Sequence, residues 1–121
     1  MFTSQRFRRS VVLPLTEDSR QQLEKEDIDD ALQVTSLEFP EAVYDNLWKK
    51  GFFTSINDLC DLLISDYETE IIEFEHLECV VDALKLSASQ ERYLDYLSFL
   101  FNFQAICEEA LELRMPVYLI F

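Results

Sequence analysis

Three kinds of side chain in this sequence could do chemistry: a lone histidine, three cysteines and a large excess of carboxylates. His76 stands in Glu75-His76-Leu77-Glu78, which lacks the second histidine at helical spacing that a zinc signature needs. It is expected to be a structural residue, at the surface or partly buried. Cys60, Cys79 and Cys107 are odd in number, far apart and flanked by apolar residues. That pattern fits small buried thiols in a reducing compartment rather than a disulfide framework. No cysteine has a matched histidine close in sequence, so a thiol nucleophile would have to recruit His76 through the fold. With one glycine in the chain, glycine-rich phosphate loops and dinucleotide fingerprints are excluded. The tight acidic loop that preorganises calcium does not occur either. No catalytic activity, metal or cofactor is expected.

The carboxylates remain. Twenty-four acids against ten bases leave a net charge of -14, which argues against direct nucleic-acid binding and for a basic partner. From Gly51 to Leu84 there is no Lys or Arg, yet the stretch carries Asp58, Asp61, Asp66, Glu68, Glu70, Glu73, Glu75, Glu78 and Asp82. Close like-charge pairs cost some tenths to about 1 kcal/mol each, so such a stretch is either a solvated face or one that waits for an external counter-charge. Glu108, Glu109 and Glu112 fall in the last turns of a predicted helix, where the macrodipole penalises each negative group by roughly 0.3–1 kcal/mol. Solvent screening at an exposed helix end is one explanation. The other is an anionic face shared with Asp58 and Asp61. The basic patch Arg6, Arg8 and Arg9, interleaved with Phe2 and Phe7, is expected to pack on the acidic body or form a mobile arm.

The elements that must position these groups follow from local patterning. Ser10 to Leu15 reads as a strand. Thr16 caps a short exposed helix whose Leu23, Ile28 and Leu32 face inward, and Gln33 to Phe39 alternates as a strand or loop. A helix over Pro40–Lys50 ends at Gly51 in a left-handed cap, with Tyr44 and Trp48 at the core edge. Thr54 or Ser55 caps a helix from Ile56 to about Ser65, with Ile56, Leu59, Cys60 and Leu63 on its buried stripe. Phe52 and Phe53, just after the glycine, are expected to be partly exposed anchors. A strand within Tyr67–Phe74 and a helix from Glu75 to about Leu86 follow. A capping box at Ser87–Gln90 opens the longest helix, to about Leu113, which buries Tyr93, Leu94, Leu97, Leu100, Phe101, Ile106 and Leu111. Val117–Phe121, after Pro116, is a last strand buried on both faces. The expected fold is one α/β domain, rich in helix, with a short, partly parallel sheet of three to four strands and a long core helix before the last strand. No export signal or membrane-spanning segment is expected.

From Phe52 onward, an aromatic pair leads into the acidic helix Asn57-Asp58-Leu59-Cys60-Asp61-Leu62-Leu63. The strand Glu70-Ile71-Ile72-Glu73-Phe74, two helices, and Glu108-Glu109-Ala110-Leu111-Glu112 before the terminal strand complete the order. In this layout, over about 70 of the 121 positions, the chain resembles barstar, a family of small acidic inhibitors of a secreted ribonuclease. The resemblance implies that Asp58, Asp61 and one of Glu108, Glu109 or Glu112 mimic phosphates in a nuclease cleft lined by Arg and Lys. The chain departs from that family in spacing its aspartates three apart rather than four, in lacking the helix tryptophan, and in its longer N-terminal portion.

The function expected is therefore a non-enzymatic, cytoplasmic inhibitor, an immunity protein or antitoxin, that occludes the cationic active site of a basic toxin, most naturally a nuclease. A nucleic-acid mimic that antagonises a host DNA-binding or CRISPR protein would use the same electrostatics. An adaptor that binds a neutral partner through Phe52, Phe53 or Trp48 would differ by being insensitive to salt.

Overall fold

The computed structural model describes residues 8–25 and 32–121. Four strands form one sheet: β1 (Ser10–Pro14), β2 (Val34–Glu38), β3 (Thr69–Ile72) and β4 (Val117–Ile120), in the order β2-β1-β4-β3. All pairings are antiparallel, with Val11 opposite Leu37 and Leu119, and Ile72 opposite Val117. The expected parallel pairing is corrected, and the reason lies in the connections. β1 and β2 pair antiparallel although a single helix lies between them, and β3 and β4 are joined by two α-helices, α4 (Phe74–Ala88) and α5 (Leu97–Leu113). The second brings the chain back to the end of the sheet where β3 finished.

The other helices are α1 (Glu17–Lys25), α2 (Glu41–Lys49) and α3 (Phe52–Cys60). Thr16 caps α1 as expected, its Oγ1 accepting from the Ser19 amide at 3.1 Å. The faces of the sheet follow the strand period of two. Val11, Leu13, Ile72, Val117 and Leu119 join the main core beneath α2 to α5, while Val12, Tyr118 and Ile120 meet Leu23 of α1 and Leu32 on the opposite face. β4 is buried on both faces, as its continuous apolar run demands. Ile28 lies outside the described residues.

The long final helix is shorter than its pattern suggested. Ser87 and Ala88 complete α4, Ser89 is its C-cap, and Glu91–Tyr96 is a 3-10 segment, so the expected capping box does not form. Three residues per turn instead of 3.6 shifts the phase of the stripe. Tyr93, Leu100, Phe103, Ile106, Cys107 and Ala110 are buried, whereas Leu94 and Phe101, expected inside, are 63% and 54% exposed.

Candidate functional site

The acidic helix α3 begins earlier than its hydroxyl residues indicated. Gly51, at φ +81°, closes α2 and opens α3 directly, a backbone state that an L side chain adopts only with strain. Phe52, Phe53, Ile56 and Cys60 then form the inward stripe. Phe52 and Phe53 are 0% exposed and stack edge-to-face 4.9 Å apart, Phe52 also edge-to-face against Tyr93 and Phe53 in a tilted contact with Trp48. They are core residues, which corrects their reading as surface anchors. Tyr44 is buried, with Trp48 half-buried beside it, the core edge that their spacing predicted.

α3 stops at Cys60 because Asp61 takes a left-handed conformation, φ +56°, and the Leu62 amide bonds back to the Asn57 carbonyl at 3.1 Å. The Asn57 amide then clamps the chain by donating to the Ile64 carbonyl and accepting from the Ile64 amide, at 2.9 and 2.8 Å. Leu62 and Ile64 turn inward, which leaves Leu63 81% exposed; Leu59, on the last turn of α3, is half exposed. The expected helix to Ser65, which placed Leu59 and Leu63 on the buried stripe, is corrected by this early stop. These two leucines, with Asp58 and Asp61, are the exposed apolar and anionic groups at the end of α3.

Cys60 and Cys79 form a disulfide, their Cα atoms 5.7 Å apart, and pin the end of α3 to the second turn of α4. Their reading as free thiols is corrected, so the cysteines do not argue for a reducing compartment. Cys107 is the buried free thiol, its pKa pushed up by burial and then by Glu108.

Three helix ends meet at one end of the helix layer. α4 starts beside the end of α5, since the Arg114 guanidinium lies over the Phe74 ring at 5.9 Å. Exposed acids mark all three: Asp58 and Asp61 on α3; Glu73, Glu75, Glu78 and Asp82 along α4; Glu108 and Glu112 on α5. Glu109 is half-buried and accepts from Thr35 Oγ1 of β2 at 3.3 Å, while Glu108 accepts from Gln104 at 3.2 Å. Asp61 borders β3 and Glu109 reaches β2, the two edge strands of the sheet, so the two predicted acidic sets lie toward opposite edges, with the acids of α4 between them. Among the described residues, no Lys or Arg forms an ion pair with any of these carboxylates. Four of the bases lie at the opposite end of the layer, beside Glu91 and Asp95, while Arg114 stands at the acidic end. Lys49 and Lys50 close α2 where the Tyr93 hydroxyl bonds the Lys50 carbonyl at 3.2 Å, Lys85 ends α4, and Arg92 lies in the 3-10 segment.

Asp66 is set apart from this face. Its Oδ1 accepts from the Arg9 guanidinium at 2.8 Å and the Tyr44 hydroxyl at 2.7 Å. Arg9 is 7% exposed, donates to the Phe121 carbonyl at 2.8 Å, pairs with Glu41 at 3.5 Å and stacks 4.3 Å from the Tyr44 centroid. Burial opposes its charge, but Tyr44, Glu41 and Asp66 outweigh that and hold its pKa above the ordinary value. Of the basic N-terminal patch, Arg9 is thus built into the body rather than part of an arm, Arg8 is exposed, and Phe2, Arg6 and Phe7 lie outside the described residues.

Beside the end of α3 runs a groove of about 430 Å³, walled by Asp61, Leu62 and Leu63 on one side and by Thr69, Glu70 and Ile71 of β3 on the other, with Glu73 and His76 closing it. Among the described residues no cluster of His, Cys, Asp and Glu has the geometry of a metal site, and no helix is long and apolar enough to cross a membrane. No protein-family model, curated protein or solved structure matches the chain.

Proposed function

We propose that the chain is an acidic inhibitor of the immunity-protein or antitoxin kind, which docks the carboxylate end of its helix layer on the cationic cleft of a basic partner, a nuclease by preference. The observation that supports this most is charge segregation. Among the described residues, carboxylates without an ion pair crowd the ends of α3 and α5 and the start of α4, where Arg114 is the one base, and Lys49, Lys50 and Lys85 stand at the far end. The dipole at the start of α4 favours Glu73 and Glu75, so stability alone accounts for those. It does not account for Asp58, Asp61, Glu108 and Glu112, which sit at helix C-termini where Arg114, the C-cap of α5, is the one neighbouring base among the described residues. Complementary charge on a partner would relieve that cost and speed association, and Leu59 and Leu63 would supply apolar contact beside it.

Immobilised chain is used to capture proteins from the source cell at low salt. The expected partner is basic, is released by raised ionic strength, and loses nuclease activity on binding. Charge reversal of Asp58 with Asp61, or of Glu108 with Glu112, should weaken capture and flatten its salt dependence. Capture unaffected by salt and by both reversals refutes the proposal.

A further inference from the structure

β3 is an edge strand: it pairs with β4 on one side, and the groove runs along its other side. An edge of this kind presents outward-turned N–H and C=O groups at alternate residues. A further strand would sit about 4.8 Å from β3, in the space between β3 and the Asp61–Leu63 wall. The groove falls in the size range of small binding sites, and Leu63 on its rim is, among the described residues, the most solvent-exposed of the large apolar side chains.

Charge selects the occupant. Asp61, Glu70 and Glu73 reach the groove, with Glu68 close behind Glu70. Burial, and then repulsion from Glu68, push the Glu70 carboxyl above the usual carboxylate range. Among the described residues, no Lys or Arg forms an ion pair with Glu70 to offset the cost of its charge. A second copy of β3 would set these carboxylates against their own kind, which disfavours edge-to-edge self-pairing. A strand with lysine or arginine at alternate positions would instead place cations against Glu70 and its neighbours while its backbone completes the ladder.

We infer that the edge of β3 left unpaired among the described residues takes up an extended, Lys- or Arg-bearing protein segment as a fifth strand, its cations facing Asp61, Glu70 and Glu73. The inference rests on the proposal of a basic partner and adds the way one segment of it is held: by main-chain bonds in the groove, beside the broader carboxylate face.

The test uses the full chain and a short capped peptide alternating lysine with valine, followed by amide chemical shifts and hydrogen exchange. Expected are shifts at residues 61–63 and 69–73, slowed exchange at outward amides of β3, and no comparable change on α1. N-methylation of the peptide at alternate residues, in one of the two possible phases, should weaken binding about tenfold for each ladder bond removed, the other phase being tolerated. Glu70→Lys should weaken the unmodified peptide similarly. If both N-methyl phases bind as tightly as the parent, or the shifts fall only around Glu108 and Glu112, strand addition is refuted and charge docking stands. If the peptide causes no shift anywhere at low salt, strand addition and the carboxylate docking face both fall.

Discussion

Removing the Arg9 side chain tests whether the node it forms closes the fold. Arg9 ties together the residue before β1, the carbonyl of Phe121 after β4, Glu41 and Tyr44 of α2, and Asp66 in the loop that leads to β3. Arg9→Ala leaves Asp66 without its cation and the Phe121 carbonyl without this donor. Breaking a buried pair from one side costs about 3–5 kcal/mol. Asp66 and Glu41 retain 36% and 54% side-chain exposure, so water replaces part of what is lost and the lower end, about 3 kcal/mol, is expected. Arg9 also sits at φ +53°, a strain that alanine inherits, so backbone relief does not mask the loss. Against a total stability of about 5–15 kcal/mol, that is a lowering of Tm by about 10 °C. Arg9→Lys keeps the charge but loses the planar fork and the stacking on Tyr44, so it should fall between wild type and alanine. Urea denaturation followed by tryptophan fluorescence, with Trp48 next to Tyr44 as the reporter, measures both. The penalty should persist in high salt, because a buried pair is weakly screened. A stability for Arg9→Ala within about 0.5 kcal/mol of wild type, the range of ordinary surface changes, would show that the node does not hold the two ends of the chain together.

Titration with a thiol reagent should detect no reactive cysteine in the native oxidised protein, Cys107 alone in denaturant, and all three cysteines once denatured and reduced. Cys79→Ser, which opens a loop of sequence separation 19, should cost about 3 kcal/mol of stability. Phe53→Ala should cost about 3–5 kcal/mol in the isolated chain, since its ring is packed among Trp48, Tyr44 and Phe121; a surface anchor would cost almost nothing. Glu70 has a folded-state pKa above its unfolded value, so what it contributes is present below the unfolded value and lost as pH rises through the folded one. Glu70→Gln should therefore raise Tm at neutral pH and leave it unchanged in acid below the carboxylate range. Equal Tm differences at both pH values would exclude this origin.

The four strands, the strong helices and the two-sided burial of β4 were legible in the sequence because a period of two, a period of 3.6 or an unbroken apolar run reports burial directly. The carboxylate surplus was legible too, since charge is counted without a fold. What could not be read locally was decided by packing between distant segments. β1 and β2 pair antiparallel although the single helix α1 lies between them, and a 3-10 segment re-phased α5 so that Phe101 faces solvent. Gly51 was identified as a cap but not as the start of α3, which placed Phe52 and Phe53 in the core, and the left-handed Asp61 ended α3 early and left Leu59 and Leu63 exposed. The Cys60–Cys79 bond depends on the end of α3 meeting the second turn of α4, a distance that residue spacing does not contain. Composition thus determined that this protein carries negative charge in excess. The tertiary structure alone decided where it gathers, because only packing brings the ends of α3, α4 and α5 to one side of the sheet.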